Sequence, residues 1–212
     1  MTAPRRMCRS ATPIGTRTCT TPPRFTTAST SRSSGSTRIP VSICCSSAGS
    51  TPDKGTADAI AVARRCGRRL DVAGIIQDEQ YFRDEIAPHV DGEQVRYLGP
   101  PVGAESRTEV LGGAHALLHL IDFDEPFGYS VVEAMACGTP VIANARGSMG
   151  ELITHGVTGF LVDDLDSAVA AVGRAGELYR TGIAEHAARR FTVTTMIDEY
   201  VTVYRAVIGN RT

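Results

Sequence analysis

Leu117 to Asn144 reads LLHLIDFDEPFGYSVVEAMACGTPVIAN. Leu117 to Ile121 is a short, mostly apolar run that predicts a buried strand. Asp122 to Gly128 contains Pro126 and closes on glycine, which predicts a loop. Gly128 to Cys137 spaces its apolar residues as a helix does, Gly138 ends it, and Pro140 to Asn144 predicts a second strand directly afterwards. Strand, loop, helix and strand in so short a span predict a parallel βαβ unit with a right-handed crossover.

The pattern continues on both sides. Ala57 to Cys66 carries a helical Ala/Ile/Val stripe, and Arg69 to Ile76 is an apolar run closing on Gly74. Asp78 is placed to cap a helix running to Ile86. Gln94 to Leu98 predicts a strand stopped by Gly99-Pro100-Pro101, and Glu105 to Ala116 a helix. Gly159 to Val162 predicts a last strand, and Leu165 onward a helical region to near Ile208 with breaks near Thr181 and Phe191. This alternation predicts an α/β domain with a doubly wound, Rossmann-like parallel sheet, whose ligands sit beyond the carboxyl ends of the strands.

The loop from Asp122 to Gly128 leaves a strand and opens a helix, so unpaired N–H groups of that helix face the crevice, a setting that favours phosphate. Gly128 is expected to let the backbone approach a ligand. Glu125 lies in the loop and Glu133 about five residues into the helix, roughly 7–8 Å further along its axis. A diphosphate joining two sugars is about that long, so one carboxylate can take hydroxyls of a transferred sugar and the other a ribose diol. Each charged hydrogen bond of this kind contributes roughly 1.5–3 kcal/mol.

These motifs resemble the donor-binding domain of GT-B fold glycosyltransferases of family four. The resemblance rests on the E-x7-E spacing around PFG, on EAMACGTPVIA from Glu133 to Ala143, and on GSMGELITHGVTGFLV from Gly147 to Val162. Phe191 to Tyr204 resembles the family's closing helix, and Pro52-Asp53-Lys54-Gly55 the end of its phosphate motif G-R-x-x-P-x-K-G. The resemblance covers about residues 52–208 and implies the C-terminal lobe of a GT-B fold. It implies a nucleotide-sugar donor, transfer with retention, and neither a metal nor a further cofactor. Glu125 would contact the transferred sugar, Glu133 the ribose and Lys54 the diphosphate, making Glu125 and Lys54 the catalytic candidates. Backbone amides around Phe127, Gly128, Tyr129 and Ser130 would bind sugar and phosphate. The acceptor, whether carbohydrate, lipid or small molecule, stays unassigned. A nicotinamide dehydrogenase is disfavoured, because no G-x-G-x-x-G follows the first strand. An inactive nucleotide-sugar-binding fragment and a sugar-nucleotide epimerase are the alternatives.

Outside that context the same residues read more plainly. Lys54 alone is a surface lysine and a Glu pair a solvated helix face. Glu151 reads as a brace near the ribose, and His89, His115, His119, His155 and His186 as surface or packing residues without ligand spacing. Cys137 reads as a small core residue. Composition agrees: 42% of 212 residues are hydrophobic and 21 are glycine, with no apolar run long enough to span a bilayer. A cytoplasmic protein, with peripheral membrane attachment left open and no nucleic-acid partner, is the expectation.

Residues 1–51 stand apart. The first fifty hold seven arginines and no acid, leaving 15 basic and 23 acidic residues afterwards, and four of the six cysteines fall among them. Gly49 stands where the phosphate motif has arginine. Cys44 to Thr51 can be encoded so that a shifted frame gives Leu-Leu-Phe-Gly-Arg-Ile-His, which supplies a strand and that arginine. Residues 1–51 are therefore expected to be an out-of-frame translation, in preference to a transit peptide or a disordered basic tail, with the folded domain over 52–208.

Overall fold

The structure, a computed structural model, describes residues 42–46 and 50–209. Six strands form one parallel sheet: β1 (Ser42–Ser46), β2 (Arg69–Ala73), β3 (Val95–Gly99), β4 (Leu117–His119), β5 (Val141–Asn144) and β6 (Gly159–Val162). Their order is β3-β2-β1-β4-β5-β6, which is the doubly wound arrangement expected. The sheet begins ahead of residue 52, the expected start of the domain. β1 pairs with β2 from Ser42↔Arg69 to Ser46↔Ala73, and with β4 at Cys44↔Leu117 and Cys45↔Leu118. Its SICCS is too short and too deeply set in Ser/Thr/Arg text to announce a strand, and pairing along both edges supplies what the local signal lacks.

Alternation along the strands sends neighbouring side chains to opposite faces. Leu118 and Ile142 join one core with Ala59, Ile60, Val62 and Ala63 of α1 (Thr56–Arg65), and with Ala168, Ala171 and Val172 of α6 (Leu165–Arg174). Leu117, Val141 and Ala143 join the other. That core holds Leu111 of α3 (Gly103–Gly113), Val131 and Met135 of α4 (Tyr129–Ala136), Met149 of α5 (Met149–Leu152) and Ile183 of α7 (Arg180–Arg190). Half-buried Arg180 ties this layer together by donating to the carbonyls of Gly112 and Ala114 and to Thr139 Oγ1, each at 2.8 Å.

Two segments differ from expectation. Asp78 does cap a helix, accepting from the Tyr81 amide at 2.9 Å. That helix, α2 (Glu79–Tyr81), then widens into a π turn over Phe82–Ile86. The short α5 is an addition to the predicted elements, its one turn too brief for periodicity to mark. The last helix, α8 (Val193–Gly209), has no buried residue and leaves Val193, Met196, Ile197, Tyr200 and Tyr204 exposed.

Candidate functional site

β1 and β4 lie side by side, yet the chain leaves them in opposite directions, to β2 and β3 on one side and to β5 and β6 on the other. Such a switch point opens a crevice beyond the strand ends. Lys54 comes from the segment after β1 and Glu125 from the segment after β4, and the structure holds the two segments together. The Asp122 amide donates to the Asp53 carbonyl at 2.8 Å. Lys54 Nζ stands 4.4 Å from the centroid of the Phe123 ring, a cation–π contact. Gly55, at φ 69°, sits so close that a Cβ there would lie 1.8 Å from the Leu120 carbonyl oxygen.

The Glu125 loop is carried from below. The Ser148 amide donates to the Glu125 carbonyl and Ser148 Oγ to the Phe127 carbonyl, both at 2.9 Å. Asn144 Nδ2 holds the Ile121 carbonyl at 2.9 Å, and Arg146 pairs with Asp122 at 2.8 Å. None of these braces is legible in the sequence, because each joins two segments distant along the chain.

Gly128 caps α4 at φ 89° without a side-chain cap bond. A Cβ there would meet Met149 Cε at 2.7 Å and Leu152 Cδ1 at 3.0 Å. Backbone sign and packing on α5 are each enough to require glycine there. Tyr129 and Ser130 open α4, and the Phe127 and Tyr129 rings stand 4.7 Å apart at the exposed mouth. Glu133 is the fifth residue of α4, exposed, with Arg107 Nε of α3 at 3.7 Å. An exposed pair of that kind contributes about 0–1 kcal/mol and leaves the carboxylate open to other partners.

Of the histidines, His115 and His119 are buried, each about 5% exposed. His115 Nε2 lies 3.0 Å from the Val172 carbonyl. His119, the last residue of β4, has no hydrogen-bond partner at either ring nitrogen among the described residues. Desolvation pushes its pKa down to about 4, with Glu125 pulling upward and Lys54 pushing further down. In the unfolded chain the ring takes up a proton near pH 6.5. Stability carried by the neutral ring is thus complete above about pH 6.5 and lost as pH falls toward 4, on the order of 3 kcal/mol. Denaturant titrations across that window are expected to show a larger loss in the wild type than in His119→Leu, where His115 and His186, also held below the usual histidine range by burial, still contribute; parallel pH dependence in both would contradict it. Cys137, beside Thr108 and Gly112 of α3, has its thiol pKa raised chiefly by burial, as a packing residue should.

The family model described as "Glycosyl transferases group 1" matches residues 42–187. The chain belongs to this family. Among curated members, the D-inositol 3-phosphate glycosyltransferase of Mycobacterium marinum is 36% identical over 169 residues, 72% of this chain and 35% of that protein. The protein of the same description from Geodermatophilus obscurus is 35% identical over 162 residues, covering 63% of this chain and 35% of its own length. The chain thus spans about a third of the length of the curated glycosyltransferases it matches. AviGT4, a glycosyltransferase involved in avilamycin A biosynthesis, superposes with a TM-score of 0.66 at 28% identity, over 79% of this chain and 51% of that one. HepE from Anabaena, solved in complex with UDP, superposes with a TM-score of 0.67 at 22% identity, over 78% and 49%; that likeness concerns the fold. The sheet is the Rossmann-like lobe of the GT-B glycosyltransferase fold.

Proposed function

We propose that this domain is the donor-binding half of a retaining glycosyltransferase, which takes a nucleotide sugar and transfers its glycosyl group to an acceptor. The observation that carries the reading is the junction at the switch point, where Lys54 is clasped to the loop that presents Glu125 at the start of α4. A diphosphate laid across the N-terminus of α4 would meet Lys54 and the amides of Tyr129 and Ser130, which donate to no backbone carbonyl among the described residues. Developing charge on the leaving diphosphate is stabilised there, commonly the largest catalytic contribution. Glu125 takes the sugar and Glu133, one helical turn and more beyond, the ribose. Retention of configuration follows the family resemblance.

HepE was solved with UDP and with UDP-glucose, so uridine donors are the first to try, beside GDP-mannose and ADP-glucose. The acceptor is left unassigned, since the match to the inositol phosphate enzymes covers about a third of their length. Gly49, in the place of the motif's arginine, favours a second reading in which this chain binds a donor weakly and transfers nothing. An out-of-frame translation would account for that glycine and for the composition of residues 1–51, whereas the pairing of β1 over Ser42–Ser46 with both β2 and β4 favours a segment that belongs to the domain; the gene's nucleotides across codons 1–55 distinguish the two.

Calorimetry separates the two carboxylates. Glu133→Ala should weaken the free nucleoside diphosphate and the sugar-bearing donor alike, by about tenfold or more for one lost charged hydrogen bond. Glu125→Ala should spare the diphosphate and weaken only the donor. Equal losses for both ligands in both variants would refute the assignment.

A further inference from the structure

His119 and Glu125 are two unsatisfied groups of complementary chemistry at one end of β4. The His119 ring is buried and both its nitrogens lack partners among the described residues, whereas buried polar atoms in folded proteins are nearly always hydrogen-bonded. Leu117, two residues earlier, faces the core that contains α4 and α5. By strand alternation His119 faces the same side, beneath the loop from Asp122 to Gly128. Glu125, in that loop, is partly buried, and no hydrogen bond or ion pair engages its carboxylate among the described residues. The two groups feel one another electrostatically, as do His119 and Lys54. A neutral imidazole carries one N–H donor, and a carboxylate accepts only.

We propose that His119 is the positioning residue for Glu125: when a nucleotide sugar enters, the imidazole N–H donates to the Glu125 carboxylate and fixes it toward the sugar hydroxyls. The remaining ring nitrogen stays an acceptor, able to accept a hydrogen bond from a bound water. A loop carboxylate held only by its backbone has rotamer freedom to lose on binding; a buried donor beneath it restricts that freedom at the moment the sugar needs it. The ring suits this task because burial keeps it neutral, so it adds no positive charge to compete with Lys54 for the diphosphate.

The inference rests on the nucleotide-sugar reading, and the experiment keeps the two apart. UDP-glucose, GDP-mannose and ADP-glucose are each titrated beside their free diphosphates into the wild type, His119→Leu, His119→Asn, Glu125→Ala and the double variant His119→Leu/Glu125→Ala. His119→Leu should weaken the preferred sugar nucleotide by about tenfold and its diphosphate by less than about twofold, and His119→Asn, which keeps an N–H donor, should recover most of the loss. In the double variant the His119 effect should vanish, because its partner is gone. Ring nitrogen NMR on the unaltered protein gives a second measure independent of folding of the variants: the His119 resonances should move on adding the sugar nucleotide and stay with the diphosphate alone. Static resonances, additive losses in the double variant, or equal weakening of both ligands by His119→Leu would overturn the positioning role while Glu125→Ala still reports on the site. A wild type that binds none of the six ligands would overturn the site reading and this inference together.

Discussion

Replacing Gly55 by alanine is expected to lower the midpoint of thermal unfolding by about 4–20 °C, at roughly 2–4 °C per kcal/mol for a domain of this size. Two costs add. An alanine held at positive φ is less favourable by about 1–2 kcal/mol, and the new methyl would stand 1.8 Å from the Leu120 carbonyl oxygen, an overlap that backbone must relieve at about 1–3 kcal/mol more. Gly67 supplies the control. It too has positive φ, at 60°, but a Cβ there meets nothing within 4 Å, so Gly67→Ala should show the backbone cost alone. Relief at Gly55 also means parting the Lys54 segment from the Glu125 loop, so this variant alone should lose ligand affinity in step with stability. Equal melting shifts for the two alanines would show that the close approach to Leu120 is not a constraint.

Lys54→Met should weaken a nucleoside diphosphate by about 10- to 150-fold, the equivalent of one charge-assisted hydrogen bond, and leave the bare nucleoside unchanged. Removing Phe123, which holds the Lys54 ammonium at 4.4 Å, should have a smaller effect of the same sign. A cation–π contact at a partly exposed site is worth about 0.5–1 kcal/mol, so Phe123→Leu should cost about two- to fivefold. The order of the two losses matters as much as their size. If Phe123→Leu tightened diphosphate binding, the ring would be competing with the ligand for the lysine instead of presenting it. Unchanged affinity in Lys54→Met would remove Lys54 from the site.

How much of this was legible depended on how local the signal was. The helix from Thr56, the strand over Gly159–Val162 and the strand-loop-helix around Glu125 all declare themselves by periodicity and by glycine or proline punctuation, and the structure puts them within a residue or two of where they were read. β1 was hidden because its stability comes from neighbours on both edges. Lys54 and Glu125 could be named from motif spacing, but not the contacts that join them. The Phe123 ring, the Ser148 bonds and the close packing of Gly147 on Glu125 are long-range, and one chain read alone carries no trace of them. His119 shows the converse error. The sequence reads it only as a surface or packing histidine, which leaves its burial open and is silent about the two nitrogens that burial leaves unsatisfied.

The position of β1 makes the molecule divisible. A chain starting after Ser46 would keep β3-β2 on one side and β4-β5-β6 on the other, with two bare strand edges facing a gap of about 9–10 Å, the width of one missing strand between two neighbours. Neither edge can close on the other without tearing its helices from the opposite faces. A synthetic peptide containing Ser42–Ser46 has the register to fill that slot, five residues pairing with β2 and two with β4. The two parts would then report on each other's presence, as a split protein whose reassembly is read by regained folding.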